Sequence, residues 1–277
     1  MRRLVHISDL HFGALRPETV EPVLRIIEEL GPDVVVVSGD LTQRATRAQF
    51  ERARAFLDRV ACRRQIVVPG NHDIPLWNLW RRFTAPRGRF DRYITDDLYP
   101  TTFDEEVGVV GLNTARATAI ANGRINVRQL EEVARRFRRA PAGALRVLTC
   151  HHPFVLPEGI SARKRAGRSD MALAALVEHE VDLLLTGHRH VPWVSRLGTP
   201  LTTVHAGTTT SHRTRGGAAN SFNDILVESA RVTVRRFGWS ADAGRFEVEP
   251  EATHEFGRDR KGRANPERDV SPAPAPQ

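Results

Sequence analysis

Cysteine is almost missing from this 277-residue chain, with Cys62 and Cys150 the whole complement. Two thiols, each in or beside an apolar segment, cannot make a disulfide framework. They read as buried free thiols, which suits a reducing compartment. Lysine is equally scarce: only Lys164 and Lys261 stand among 41 basic residues, the others being arginines. Long apolar runs are absent, and none approaches the roughly 18 residues that a membrane span needs. At the N-terminus two arginines lead straight into Leu4-Val5-His6-Ile7, which reads as a strand and not as the apolar core of a secretion signal. No internal repeat is found. These absences set the expectation of a cytoplasmic protein with no membrane span.

The chain is 40% apolar, enough at this length for one sizeable core, and α/β domains of this size are often single. A formal net charge of +8 favours anionic partners: phosphate esters, nucleotides or nucleic acid. The arginines are scattered along helices, however, and do not gather into one basic stripe. Most therefore read as a solvated surface.

Apolar patterning predicts a β-α-β-α-β start. Arg3 to Ser8 is expected as a strand ending at Asp9-Leu10-His11. A helix follows from about Pro17, a residue suited to a first helical turn, to Leu30, with Val20, Val23, Leu24, Ile27 and Leu30 on one face. The valine run up to Val37 is the signature of a strand buried on both faces of a parallel sheet, and it ends at Ser38-Gly39-Asp40. A second helix spans about Arg47 to Val60. A third strand, Gln65 to Val68, breaks at Pro69-Gly70 and delivers Asn71-His72-Asp73. The stretch 74–103 is irregular and rich in aromatics, either a cap over the strand ends or packing. Further strands are expected at Glu106–Leu112, Ala144–Thr149 and Asp182–Thr186, ending in Asn113-Thr114, Cys150-His151-His152-Pro153 and Gly187-His188-Arg189-His190. Asn126 is placed to cap one intervening helix, and Ser169 or Asp170 the other. From Leu201 the pattern turns to short strands, with Thr208–Asn220 as a surface loop and a tight turn at Ser229-Ala230. Residues 1–252 form one domain in this reading, and the charged, then Pro/Ala-rich stretch 253–277 is expected to be a disordered tail.

The polar clusters at the strand ends are Asp9 and His11, Asp40, Asn71 and His72, His151, and His188 and His190. In an open α/β sheet, ligands bind just past the C-terminal strand ends. Carboxylate, imidazole and amide oxygen form a donor set suited to Mn, Fe, Zn and related divalent ions. Even seven of these eight groups as ligands exceed what one open metal site needs, but seven suit two ions sharing a carboxylate. In Asp9-x-His11 and His188-x-His190, side chains at i and i+2 can reach the same side of an extended segment. Each cluster alone is ordinary, and Asn71-His72-Asp73 by itself is most simply a polar turn. The signal lies in the ordered set, each member following an apolar strand.

The ordered pattern Asp9-x-His11, Gly39-Asp40, Gly70-Asn71-His72-Asp73, His151-His152-Pro153 and Gly187-His188-Arg189-His190 resembles the calcineurin-like metallophosphoesterase superfamily, over roughly Leu4 to Gly207. Within it, Gly39-Asp40-Leu41-Thr42 and the Gly-His-x-His ending are similar to the bacterial class III cyclic-nucleotide phosphodiesterase branch. The resemblance implies an α/β fold, a four-layer α/β/β/α sandwich with a dimetal site at the strand C-terminal rim. It implies two divalent cations (Mn, Fe or Zn), with Asp9, His11 and His190 on one, Asn71, His151 and His188 on the other, and Asp40 bridging. It implies that His72 is a catalytic histidine bound to neither metal. Gln43 stands where phosphoprotein phosphatases carry an Asp that pairs with this histidine, which argues against a protein phosphatase of that kind. Asp73 either takes over that orienting role or points away.

The activity implied is hydrolysis of a small-molecule phosphodiester, cyclic nucleotide-like or glycerophosphodiester-like, by attack of a metal-bridging hydroxide, with His72 serving the leaving group. The alternatives are a phosphomonoesterase, a metallonuclease of the same superfamily, and a non-catalytic nucleic-acid-binding module. The nuclease would need an added dimerisation or capping domain, and the chain has no room for a large one. A structural metal would call for the Cys-rich ligation this chain lacks. Small-molecule phosphate ester is thus the favoured partner and nucleic acid the less favoured one. His152 is expected as a rim residue, and His205 and His212 as surface-loop residues. Asn113 and Arg116 follow a strand end and are open as substrate contacts.

Overall fold

In the computed structural model, which describes residues 1–196, 200–258 and 264–265, the valine-rich strands are buried on both faces, as their composition predicts. β1 (Arg2–Ile7), α1 (Val20–Leu30), β2 (Val34–Val37), α2 (Arg47–Arg59) and β3 (Gln65–Val67) form two successive strand-helix-strand crossovers, and the three strands run parallel. Two short helices follow, α3 (Leu79–Thr84) and α4 (Gly88–Tyr93). The second half supplies β4 (Thr101–Phe103), β5 (Val107–Leu112), α5 (Val127–Phe137), β6 (Leu145–Cys150), α6 (Ser169–Glu178), β7 (Leu183–Thr186), β8 (Trp193–Arg196) and β9 (Thr202–His205). The chain then returns through β10 (Ser221–Val227), β11 (Arg231–Ser240), β12 (Arg245–Arg258) and β13 (Ala264–Asn265).

These strands make two sheets, ordered β13-β12-β11-β10-β1-β2-β3 and β4-β5-β6-β7-β9-β8. Strand alternation sets the layering. Val5, Ile7, Val35 and Val37 face α1 and α2, where they meet Val23, Ile27, Phe50 and Leu57. Leu4, Val34, Val36 and Ile66 face the other way, onto Val109, Val147, Leu183 and Leu185 of the second sheet. The far side of that sheet, through Val110, Leu112, Leu148 and Leu184, is covered by Leu130, Val133 and Phe137 of α5 and by Ala172 and Leu176 of α6. Three apolar seams between four layers give the α/β/β/α sandwich expected.

Local signals explain several helix ends. Gly31 closes α1 in the left-handed region, at φ 56°. Asn126 caps α5 and Gln129 reaches back to its backbone, a reciprocal box. α6 departs from expectation: Arg168 is its N-cap, and Ser169 instead donates backwards to the Ala166 carbonyl. The stretch 74–103 divides. Phe90 and Tyr93 of α4 pack on Phe50, with ring centroids 6.4 and 6.2 Å away, whereas α3 stays at the surface.

Two readings need correction. The boundary at 253 is too early, because β12 pairs with β11 as far as Arg231↔Gly257 and buries Phe256 in the seam between the sheets. Apart from Ala264–Asn265, which pair with its end, the tail beyond Arg258 lies outside the described residues. Thr208–Asn220 is not simply a surface loop: Thr208, Thr209, Thr210 and Ser211 are fully buried. Three of their hydroxyls satisfy carbonyls of the segment after β1, with Thr208 donating to Asp9 at 2.6 Å, Thr210 to Leu10 at 3.0 Å and Ser211 to Ala14 at 2.8 Å. Both cysteines are free; Cys150 is buried and Cys62 partly so. Among the described residues no helix is long and apolar enough to cross a membrane.

Two buried histidines make stability sensitive to acid. His6 lies between Ser38 Oγ, 2.9 Å away, and Asn223 Nδ2, 3.3 Å away. His205 is not the loop residue expected but the end of β9, 2% exposed and 3.0 Å from Thr186 Oγ1. Burial pushes both down to about 3, assisted at His6 by the charge of His205. The unfolded chain binds these protons near pH 6.5 and the folded chain does not. The contribution is therefore present above about pH 6.5 and is lost as pH falls toward about 3, with a slope of about 1.4 kcal/mol per pH unit for each histidine. Urea midpoints should fall from pH 7 to pH 5, and His205→Gln should make that slope shallower even if it lowers stability overall.

Candidate metal centre

The C-terminal ends of β1, β2, β3, β6 and β7 deliver the polar clusters to one rim. Beyond the strands the loops stay in contact: Asp9 N donates to Gly39 O at 3.0 Å, His11 N to Asp40 O at 2.9 Å and Gly187 N to His151 O at 3.1 Å. Asp9, His11, Asp40, His188 and His190 all have positive φ, between 48° and 74°, and they are five of the eight non-glycine residues with positive φ among those described. L-residues avoid this region, and such strain concentrates where the surroundings force a side chain into a functional position. Two motif glycines make the close approach possible. A Cβ on Gly70 would lie 2.0 Å from Asp40 Oδ1, and one on Gly187 would lie 1.9 Å from Ser8 Oγ.

Asp9, His11, Asp40 and His190 bring their ligand atoms within 4.8 Å of one another, and His151, His152 and His188 do the same. Each carboxylate has one oxygen tied to the frame and one directed at the cluster. Asp9 Oδ2 accepts from Ser8 Oγ at 2.6 Å and His188 N at 2.9 Å. Its Oδ1 lies 3.0 Å from His190 Nε2 and 3.6 Å from His11 Nε2 without an aligned hydrogen bond. Asp40 Oδ1 accepts from His72 N at 2.8 Å, and its Oδ2 lies 3.2 Å from His151 Nε2 and 3.8 Å from His11 Nε2. Asp40 thus stands between the two clusters.

The imidazoles are oriented in the same manner. His151 Nδ1 donates to Ser38 O at 2.8 Å and His190 Nδ1 to Arg213 O at 2.5 Å. A carbonyl on Nδ1 fixes the tautomer and turns Nε2 inward. The Nε2 atoms of His11 and His190 face each other at 3.1 Å, an arrangement that calls for a proton or a cation between them. Asn71 opens the short turn 71–73, and its buried Oδ1 makes no hydrogen bond, as is also true of His151 Nε2. Converging N and O acceptors short of donors are what a pair of divalent cations would satisfy.

Charges follow this geometry. Burial pushes the Asp9 carboxyl up, but the charge of His190 and the close approach of His11 and His190 hold it well below the usual range. Burial likewise opposes ionisation of Asp40, and His151 outweighs it, so that carboxyl is also lowered. Burial pulls His151 down, yet Asp40 and Asp9 raise it to about 9. His188, partly buried beside His151, is pushed down to about 3 by desolvation and by the charge of His151.

His72 lies outside both clusters and is partly exposed. Its Nδ1 donates to the Gln43 carbonyl at 2.9 Å, and its Nε2 accepts from Arg213 Nη1 at 3.2 Å. Arg213 Nη1 also donates to Gln43 Oε1 at 2.9 Å. Asp73 points away from His72. Its carboxylate accepts from Leu41 N at 3.1 Å, Thr42 N at 2.8 Å, Thr42 Oγ1 at 2.9 Å and Gly70 N at 2.9 Å. It pins the two loops that carry Asp40 and Asn71, and the orienting role falls to the Gln43 carbonyl. Removing it in Asp73→Ala strands those donors and should cost about 3 kcal/mol or more, read as a lower urea midpoint. Asp73→Asn, which keeps an acceptor, should fall between.

Other residues differ from expectation. His152 is fully buried and joins the second cluster, its ring 4.8 Å from those of both His151 and His188 and its Nδ1 2.8 Å from Thr114 Oγ1. Asn113 Oδ1 accepts from Ala115 N, and Arg116 is bound to the side chain of Gln129, so both serve the local fold. His212 is exposed, as expected. Arg213 was not singled out by its sequence, since nothing local separates it from neighbouring Arg215 in a Thr/Gly/Arg-rich loop.

A family model described as calcineurin-like phosphoesterase matches residues 2–192. A protein of Synechococcus sp. named "Probable cyclic nucleotide phosphodiesterase" is 28% identical over 207 residues, spanning 70% of this chain and 76% of that protein. A dimetal phosphatase of Danio rerio superposes with a TM-score of 0.61 at 14% identity, covering 89% of this chain and 98% of that one. The purple acid phosphatase PPD1 of yellow lupin superposes at 0.68 and 12% identity over 94% of this chain, which spans only 54% of the lupin protein. With the match extending over most of its length, the chain belongs to the calcineurin-like phosphoesterase family.

Proposed function

We propose that this chain is a dimetal-dependent phosphodiesterase of a small-molecule phosphate ester, cyclic nucleotide-like or glycerophosphodiester-like. The position of Asp40 between two ligand clusters, with His72 fastened just outside them, is the observation that carries this reading. Asp9, His11 and His190 would hold one ion, Asn71, His151 and His188 the other, and Asp40 both. Mn, Fe and Zn all suit these donors. Two such ions supply charge neutralisation at phosphoryl oxygens and a water of lowered pKa.

The protein's own groups do the rest. His72 has its ring held by the Gln43 carbonyl, so Nε2 is the atom that exchanges a proton with the leaving oxygen. Arg213, already at that Nε2, is placed to take a phosphoryl oxygen once substrate enters. The name of the Synechococcus relative supports a diester over a monoester. The test is to strip the protein of metal, reload it with Mn²⁺ and offer bis-p-nitrophenyl phosphate, p-nitrophenyl phosphate, cyclic AMP and single-stranded DNA. Turnover of the diesters should exceed that of the monoester. Fastest cleavage of DNA would point to a nuclease instead, and no turnover of any ester would sink the esterase reading.

A further inference from the structure

Directly after Asn71-His72-Asp73 the chain exposes an apolar patch that none of the described residues covers. Trp77 and Trp80 are each 78% exposed, Phe83 64%, Leu79 63% and Leu76 40%. Arg82 underneath is buried and anchors this segment, donating to Pro75 O at 3.1 Å and across to Ala117 O at 2.7 Å. The neighbouring loop carries another exposed apolar residue, Ile120, at 62%. That loop is tied in turn to the one after β6, through Asn122 Nδ2 to Arg163 O at 2.9 Å and Gly167 N to Gly123 O at 3.1 Å. Large exposed patches of this kind mark interaction surfaces.

The charge on the three segments that carry the patch is mostly of one sign. No acidic residue occurs between Asp73 and Asp91 or between Glu106 and Glu131, and Glu158 is the only one between His151 and Asp170. Exposed cations do occur there: Arg81 on α3, Arg124 and Arg128 where the loop of Ile120 enters α5, and Arg163, Lys164 and Arg168 on the third loop. Two partners fit this poorly. A symmetric contact with a second copy would press the same cationic rim against itself. Nucleic acid uses cations and stacking rings, but it has no use for exposed Leu76, Leu79 and Ile120. An anionic lipid surface uses all three features, since Trp and Phe settle at the headgroup boundary, aliphatic side chains enter the acyl region, and arginines meet phosphates.

We propose that this rim docks on an anionic phospholipid bilayer, with Trp77, Trp80 and Phe83 inserted and the surrounding arginines on headgroup phosphates. Docking brings the candidate metal centre close to the bilayer surface. It is independent of the esterase reading and is measured without turnover.

The full chain is mixed with vesicles of phosphatidylcholine containing phosphatidylglycerol, and with vesicles of phosphatidylcholine alone. Sedimentation and tryptophan emission are then recorded. The expected result is co-sedimentation with the anionic vesicles and a blue-shifted emission, both weakened by salt. Trp77→Ser/Trp80→Ser should lower partitioning roughly tenfold or more and abolish the shift. The turnover of bis-p-nitrophenyl phosphate in free solution should not change. Arg81→Glu should weaken the binding through charge alone. Failure to bind anionic vesicles, or binding that the double variant retains, overturns the proposal. So does a dimer that the double variant dissolves, or tighter binding to single-stranded DNA than to the vesicles.

Discussion

Replacing His72 with alanine is expected to lower turnover of bis-p-nitrophenyl phosphate by about a hundred- to ten-thousandfold, the range of a lost general acid or base. Metal content should stay near that of the parent. The prediction follows from geometry: the ring is held by the Gln43 carbonyl at Nδ1 and by Arg213 at Nε2, and neither nitrogen reaches into the clusters. The bond that does touch the clusters, to Asp40 Oδ1, comes from the backbone N–H of residue 72 and survives the substitution. Kinetics and metal analysis on the same preparation check both halves. A His72→Ala protein that lost metal would place His72 among the ligands instead.

The second large effect is expected at Asp40. Its carboxylate faces His11 and His151 with one oxygen and fastens the 71–73 turn with the other. Asp40→Ala should therefore deplete both metal positions and lower turnover by more than about a thousandfold. It should also cost about 3 kcal/mol of stability, because the buried His151 loses its counter-charge. Asp40→Asn, which preserves shape, should recover part of the stability and little of the metal binding. Metal analysis and urea denaturation distinguish these outcomes: a variant that kept both metals would remove Asp40 from its bridging place.

Much of the architecture was legible because it depends on local pattern. Near-continuous apolar runs such as Leu4-Val5-His6-Ile7 and Val34–Val37 announce strands buried on two faces, and the polar residues that end them converge because parallel strands end on one rim. Asp9, His11, Asp40, His151, His188 and His190 could accordingly be named in advance and are found together. What local pattern cannot carry is a partner far along the chain. Thr208–Ser211 looked like a surface loop because its hydrogen-bond acceptors, the carbonyls of Asp9, Leu10 and Ala14, belong to the first strand's exit loop. Arg213 reaches His72 through that same loop. His152, beside Pro153, reads locally as a rim residue, yet the backbone turns after β6 and the rings of both His151 and His152 fall inside. β12 runs past the expected domain boundary at residue 252, and its Phe256 takes a place in the seam between the sheets.

The most direct test of the central claim is a titration of metal-stripped protein with Mn²⁺, following bound metal and diester turnover together. Two clusters joined by Asp40 predict that turnover rises with the second equivalent bound and levels off at two per chain. Full turnover with one metal bound, or none with two, would contradict a shared dimetal centre.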